Sequence, residues 1–261
     1  KEKQINRKEF PMAYLALYRE WRPRTFGEII GQEHITRTLK NAVKAGRVGH
    51  AYLFCGTRGT GKTTTAKVLA KALNCSREEE AEPCNCCDSC VAITEGLSVD
   101  VIEIDAASNR GIDEIRDLRE KVKFAPSGGR FRVYIIDEVH MLTNEAFNAL
   151  LKTLEEPPRH VVFILATTEP HKVPLTILSR CQRFDFKRIV PADMIRRLKE
   201  VASGAHLEVE EEALRLIARA AEGGLRDALS ILDQGAAFGG MKITAGDVHK
   251  ILGTVRTEAL A

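Results

Sequence analysis

GTRGTGKT, residues 56–63, is the stretch whose reading decides the fold. It is a complete G-x-x-x-x-G-K-[ST] phosphate loop, and its flanks suit the chemistry. An apolar run, Ala51, Tyr52, Leu53, Phe54 and Cys55, precedes it, and a helical stripe of Ala66, Leu69, Ala70 and Leu73 follows. Gly56, Gly59 and Gly61 let the backbone curl so that its N–H groups point at phosphate oxygens, and the helix N-terminus adds partial positive charge. Lys62 can reach the β/γ-phosphates, and Thr63 can offer its hydroxyl to Mg²⁺. The expected nucleotide-binding set is Gly56, Thr57, Arg58, Gly59, Thr60, Gly61, Lys62, Thr63 and Thr64. A Gly-rich turn before an ordinary helix would explain a lone GxGxxG, but not this eight-residue match between a strand and a helix.

Outward from the loop, strands alternate with helices. A helical pattern over 31–46 carries Ile35, Leu39, Ala42 and Val43. Beyond the loop unit come an apolar segment (Val99, Val101, Ile102, Ile104) and a helix marked by Ile112, Ile115, Leu118 and Val122. FRVYIID (131–137) reads as a strand, followed by a helix over 144–155 that Pro157 and Pro158 stop. VVFILATT (161–168) is continuous and β-branched, as a strand buried on both faces should be. The pattern predicts an α/β fold with a doubly wound parallel sheet. After Pro191 only helical stripes remain (Ile195/Leu198, Ala213/Leu216/Ile217, Ala228/Leu229/Leu232), which predicts a small all-helical lid over 191–261.

VYIIDE (133–138) supplies the second half of a nucleotide site. Asp137 would hold Mg²⁺ through water, and Glu138 would orient and polarise the attacking water. Alone, two acids after a strand are often mere surface caps; beside a phosphate loop they point to hydrolysis, since a kinase would keep water out. Thr167 and Thr168 end the third strand, where a hydroxyl could contact the γ-phosphate or its water. LSRCQRF (178–184) places Arg180 ahead of a short strand, suited to stabilising transition-state charge, although such an Arg is more often a surface ion-pair residue.

Five of the seven cysteines crowd between 75 and 90. Cys75, Cys84, Cys87 and Cys90 are spaced C-x8-C-x2-C-x2-C, so four soft thiolates can converge on one tetrahedral Zn²⁺ in a closed, structural site. Cys86 is the odd thiol out. This crowding is unlike a disulfide framework, and reduced thiols fit a nucleotide-binding chain without a signal peptide. The 261 residues are 44% hydrophobic and 29% charged, which is the composition of an ordinary globular chain with room for a core and a satellite domain. No apolar run approaches the ~18 residues of a membrane span. A cytoplasmic protein is expected. Of the net charge of +3, the first eleven residues contribute +2, so any nucleic-acid site must be a local patch. Residues 1–11 read as a leader or appended residues ahead of Met12.

With these motifs in order, the chain resembles the clamp-loader AAA+ ATPases, the family of the bacterial DNA polymerase III gamma/tau subunit. The resemblance is carried by YREWRPRTFGEIIGQEHI (18–35), HAYLFCGTRGTGKTTTAK (50–67), DVIEIDAASNRGIDEIRDLREKVKFAP (100–126), VYIIDEVHMLTNEAFNALLKTLEEPP (133–158), FILATTEPHKVPLTILSRCQRFDF (163–186) and GGLRDALSILDQ (223–234), and covers 18–253. It implies an AAA+ P-loop domain over 12–190 with a zinc-binding insert at 75–90, then the lid. It also implies that Thr168 is the first sensor, Arg226 the lid's second sensor, and Arg180 an arginine finger acting in trans on a neighbouring subunit. Tyr18 and Arg19 would wall the adenine, while Lys152, Arg116 and Arg110 would face DNA. The partners implied are other clamp-loader subunits, the sliding clamp and primer–template DNA, with no membrane, and the cofactors ATP, Mg²⁺ and Zn²⁺. The family continues into a collar domain, which is expected to be absent from this chain.

Two rival readings are a branch-migration helicase subunit, against which the four cysteines and the SRC segment count, and a non-enzymatic zinc and DNA-binding module. Intact Lys62, Thr63, Asp137 and Glu138 count against the second.

Overall fold

A computed structural model describes residues 15–77 and 81–253. The expected leader and the last residues of the expected lid lie outside the described residues. In chain order the elements are α1 (Leu17–Glu20), α2 (Glu33–Lys44), β1 (Ala51–Cys55), α3 (Lys62–Asn74), α4 (Asp88–Glu95), β2 (Val101–Asp105), α5 (Ile112–Val122), β3 (Arg132–Asp137), α6 (Asn144–Glu155), β4 (Val161–Thr167), α7 (Leu175–Leu178) and β5 (Gln182–Asp185). Then follow α8 (Pro191–Gly204), β6 (Glu208–Val209), α9 (Glu211–Ala220), α10 (Leu225–Gly239), β7 (Lys242–Ile243) and α11 (Ala245–Leu252).

The first five strands form one parallel sheet in the order β2-β3-β4-β1-β5. Every residue of β1 and β4 is buried, because helices cover both faces of a parallel sheet and leave no position for a polar alternation. Tyr52, Phe54 and Ile164 pack on one face with Leu69 and Leu73 of α3, while Leu53, Phe163 and Leu165 pack on the other with Leu118 of α5 and Leu150 of α6. Of the expected apolar segment, Val99 lies outside β2: it is exposed, and the next residue, Asp100, accepts the backbone N–H groups of Ser127, Gly128 and Gly129 at 2.8 Å each. Pairing with β3 begins only at Val101.

The helical unit has its own core, in which Leu198, Ile217 and Leu232 meet Leu17 of α1 and Ile189. The expectation of helices after Pro191 holds, with one addition. Two residues on each side, β6 and β7, pair in parallel, too short a ladder to leave a period-2 signature. α11 is opened by a capping box in which the Thr244 side chain accepts from Asp247 N and the Asp247 carboxylate accepts from Thr244 N.

Lid and phosphate loop meet backbone to backbone. Leu225 N donates to Gly59 O at 3.0 Å, and a Cβ built on Gly59 would lie 2.9 Å from the Cα of Gly224. Gly59 also has φ +78°, a left-handed backbone that penalises a side chain. Replacing it with alanine is expected to cost about 1–3 kcal/mol of stability, through strain and through wedging the lid from the loop. Urea unfolding of Gly59→Ala beside the parent chain measures this; an unchanged midpoint would contradict the close approach.

Candidate functional site

A cavity of about 730 Å³ lies where the carboxyl ends of β1 and β3 face the lid. The loop after β1 forms its floor, residues 18–30 one wall, and the start of α10 its roof. Lys62, only 6% exposed, folds back over its own loop and donates to Gly56 O at 2.8 Å and Thr57 O at 2.9 Å. Burial pulls the Lys62 ammonium below the usual lysine range, and Glu138 and Asp137 oppose that shift. The Thr63 hydroxyl donates to Asp137 Oδ2 at 2.6 Å, which puts a hydroxyl and a carboxylate side by side as hard oxygen ligands for a cation such as Mg²⁺.

Glu138, next along the chain, has φ 48°, a left-handed conformation unusual for a residue with a side chain. Its Oε2 accepts from the Thr168 hydroxyl at 2.9 Å and from the Thr168 N–H at 3.4 Å. The two threonines predicted at the end of β4 therefore part company. Thr168 faces the acid of the site, whereas Thr167 is fully buried and bonds to His140.

Tyr18 and Arg19 line the cavity, and the Arg226 guanidinium stands 5.1 Å from the centroid of the Tyr18 ring. Sequence reasoning passed over Arg22. Its Nε donates to Thr64 Oγ1 at 3.0 Å, and burial lowers its pKa, with Glu103 and Asp137 partly restoring it. The available signal was its position before Pro23, which biases the backbone toward an extended wall segment.

Arg180 does not line this cavity. Its Nη2 donates to Glu155 Oε1 at 2.8 Å, and its Nη1 donates to Thr176 O at 2.8 Å. Arg110, Arg116 and Lys152 are exposed on, or just ahead of, the mutually packed helices α5 and α6, likewise outside the cavity lining.

The Sγ atoms of Cys75, Cys84, Cys87 and Cys90 all lie within 4.8 Å of one another. Tetrahedral ligation at about 2.3 Å asks for neighbouring sulfurs about 3.8 Å apart, so the set fits one soft cation. Backbone N–H groups point at the sulfurs, Cys87 N at Cys84 Sγ (3.3 Å) and Cys84 N at Cys75 Sγ (3.4 Å), an arrangement that stabilises thiolate charge. Chiefly through the N–H of Cys86, the Cys84 thiol is drawn down to about 5. Cys86 itself is exposed and outside the cluster. Helix α4, which the cysteine spacing does not signal, starts right after Cys87 and carries Cys90 in its first turn. The module is tied to the nucleotide wall by Lys71, whose buried ammonium donates to Arg24 O at 2.9 Å and to Asn85 Oδ1 at 2.6 Å.

A five-stranded parallel sheet with β1 between β4 and β5, a phosphate loop after β1, paired acids ending β3 and a helical lid over the cavity together define a P-loop nucleotide-binding module of the AAA+ class. The family model described as "DNA polymerase III, delta subunit" matches residues 31–190, and that of the "DNA polymerase III clamp loader subunit, ATPase lid domain" matches 194–241. The chain belongs to the gamma/tau family of DNA polymerase III clamp-loader subunits. It is 60% identical over 244 residues to the DNA polymerase III subunit tau of Bacillus subtilis, an alignment covering 94% of this chain and 43% of that protein. With the tau subunit of Escherichia coli the identity is 52%, covering 94% and 38%. With the gamma subunit of Buchnera aphidicola it is 44%, covering 95% and 67%. The chain thus spans less than half the length of the Bacillus and Escherichia relatives. The Thermotoga maritima RuvB Holliday junction branch migration motor shares the fold, with a TM-score of 0.65 at 20% identity over 89% of this chain and 72% of that one.

If the four-sulfur cluster is a metal site, the chain should take up one soft divalent cation, and serine at any of Cys75, Cys84, Cys87 or Cys90 should lower the uptake or the stability. Cys86→Ser should leave the uptake intact. Elemental analysis decides: zero metal, or a loss on changing Cys86, overturns the assignment.

Proposed function

We propose that this chain is the ATPase motor portion of a bacterial replicative clamp-loader subunit. Binding of ATP would favour a state that opens the sliding clamp and grips primer–template DNA, and hydrolysis would release the closed clamp. The observation that carries this reading is the convergence of Lys62, the Thr63–Asp137 pair and Glu138 on one cavity roofed by the lid, in a member of that family. Lys62 would exchange its two loop carbonyls for the β/γ-phosphates. Mg²⁺, held by Thr63 and Asp137, would neutralise charge on those phosphates. Glu138 would take the proton of the attacking water, with Thr168 as the sensor that feels the γ-phosphate and Arg226 as its counterpart on the lid. Tyr18 and Arg19 would border the adenine.

The remaining roles belong to the same proposal. Zn²⁺ is the cation that four thiolates without histidine suit best, and it would hold 75–90 as a structural module. Arg110, Arg116 and Lys152 would contact DNA phosphates, so binding should be salt-dependent and sequence-tolerant. Other loader subunits and the sliding clamp are the protein partners, and the cytoplasm is the place of action. A division into 12–190 and 191–261 is supported by separate hydrophobic clusters and by the break between the two family matches at 190 and 194.

Lys62→Ala should abolish tight ATP binding, because the phosphates lose the point charge set beside them. Glu138→Gln should bind ATP yet hydrolyse it about 10²–10⁴-fold more slowly, the usual contribution of a positioned base. Calorimetric titration and phosphate-release assays check both. Undiminished affinity in Lys62→Ala would sink the phosphate-loop reading.

Arg180, which is not among the residues lining its own cavity, is proposed to serve a neighbour's. Supplying such an arginine in trans can be worth on the order of 10³–10⁵ in rate. Arg180→Ala should leave the ATP affinity of the isolated chain almost unchanged. In a loader reconstituted with full-length subunits, clamp and primed DNA, it should sharply reduce hydrolysis. Mixing mutant with wild-type subunits locates the effect, and impairment confined to the mutant's own site rules the mechanism out.

A further inference from the structure

His140 is buried beside the cavity and has no part in the roles assigned above. It lies in the short turn 139–141 directly after Glu138, and its side chain is only 5% exposed. Both ring nitrogens face polar partners. Nδ1 is 2.9 Å from Thr167 Oγ1 and 3.4 Å from Glu138 Oε2, and Nε2 is 3.1 Å from Glu169 Oε2. The far side of this cluster is itself fixed, since Glu169 N donates to Thr167 Oγ1 at 3.0 Å. The imidazole therefore cross-links the ends of β3 and β4, with one edge on the acid of the nucleotide site.

The geometry around Glu138 gives this contact its meaning. Three groups converge on Oε2: the Thr168 hydroxyl, the Thr168 N–H and His140 Nδ1. Oε1 accepts no hydrogen bond among the described residues, so it is the oxygen left for a water in the cavity that Glu138 lines. The backbone beneath is left-handed, a conformation that costs a residue with a side chain about 1–3 kcal/mol unless its surroundings over-determine it. Thr168, just past β4, supplies two hydrogen bonds, and His140 Nδ1, which is hydrogen-bonded to Thr167 Oγ1, lies within ion-pair distance of the same carboxylate oxygen from the strand end that carries Glu138.

We propose that His140 is a positioning residue for hydrolysis: its Nδ1 edge fixes Glu138 through Oε2, and so directs Oε1 at the attacking water. This rests on the proposed role of Glu138 as the base. The rival account is a histidine that merely fills space between two strand ends.

Asparagine and glutamine separate the two accounts, because the Asn amide nitrogen falls near the Nδ1 position and the Gln amide nitrogen near Nε2. Single-turnover ATP hydrolysis and ATP affinity would be measured for His140→Ala, His140→Gln and His140→Asn. Loss of a positioning contact of this kind is worth about 10–100-fold in activity. The expected result is that size of loss in turnover for Ala and Gln, with ATP affinity unchanged, and recovery of most of the lost rate by Asn. Because the effect runs through Glu138, adding His140→Gln to Glu138→Gln should slow hydrolysis no further. The proposal is overturned if Gln recovers the rate and Asn does not, if the loss appears in affinity alone, or if it persists undiminished in the Glu138→Gln background. Wild-type turnover by Glu138→Gln alone would instead overturn the reading of Glu138 on which it stands. The Asn and Gln comparison keeps the test decisive even where His140→Ala fails to fold.

Discussion

Strand β4 is hydrogen-bonded in parallel register to β1 on one side and β3 on the other, and the site depends on that register. Cys55 of β1 pairs with Thr167, and Ile136 of β3 pairs with Leu165. The three chains consequently run out of sheet at one level, where Gly56 N still donates to Thr167 O at 3.2 Å. Each strand releases its functional residue there: the phosphate loop from β1, the two acids from β3, Thr168 from β4. A parallel sheet buried on both faces cannot slip by one residue without turning core side chains onto the opposite face. Packing far from the cavity thereby fixes the alignment of loop, acids and Thr168. Chemistry at the rim inherits its precision from apolar burial beneath.

The lid adds a second constraint of a different kind. It meets the phosphate loop by backbone contact at Gly59 and Gly224, where Leu225 N donates to Gly59 O. Its own core is separate and includes Leu17 of α1 and Ile189, so the segments that enter and leave the sheet domain are packed into the lid. A unit held together internally and seated by a few close contacts can shift as one body without losing its core.

Much of this was legible in the sequence, because the signals were local. The phosphate loop, the apolar runs of β1, β3 and β4 and the x2 cysteine spacings each reflect chemistry among neighbouring residues. What escaped was set by contacts between distant segments. Arg22 reads as one arginine among several until Thr64 is found beside it, across 42 positions. His140 reads as an ordinary turn residue until Thr167 and Glu169 arrive from β4. The Arg180–Glu155 pair joins the turn before β5 to the end of α6. Helix α4 was hidden because its first turn is occupied by cysteine spacing, and β6 and β7 are too short to show any period. Spacing isolated the four clustered cysteines from Cys86, since adjacent residues point apart while x2 neighbours fold back together.

Helix α3 begins at Lys62 and ends at Asn74, and the next residue is Cys75. One uninterrupted helix, about 20 Å long at 1.5 Å per residue, therefore has the phosphate loop at its head and the cysteine cluster at its foot. Such a helix is stiff over that length, so its two ends cannot move independently. A tilt of about 5° about the head swings the foot by about 1.7 Å, a little more than the rise of one residue. The cysteine module, hung on that foot and braced by Lys71 to Arg24, is in mechanical terms a pointer: any angular change at the phosphate loop would reach it as a translation.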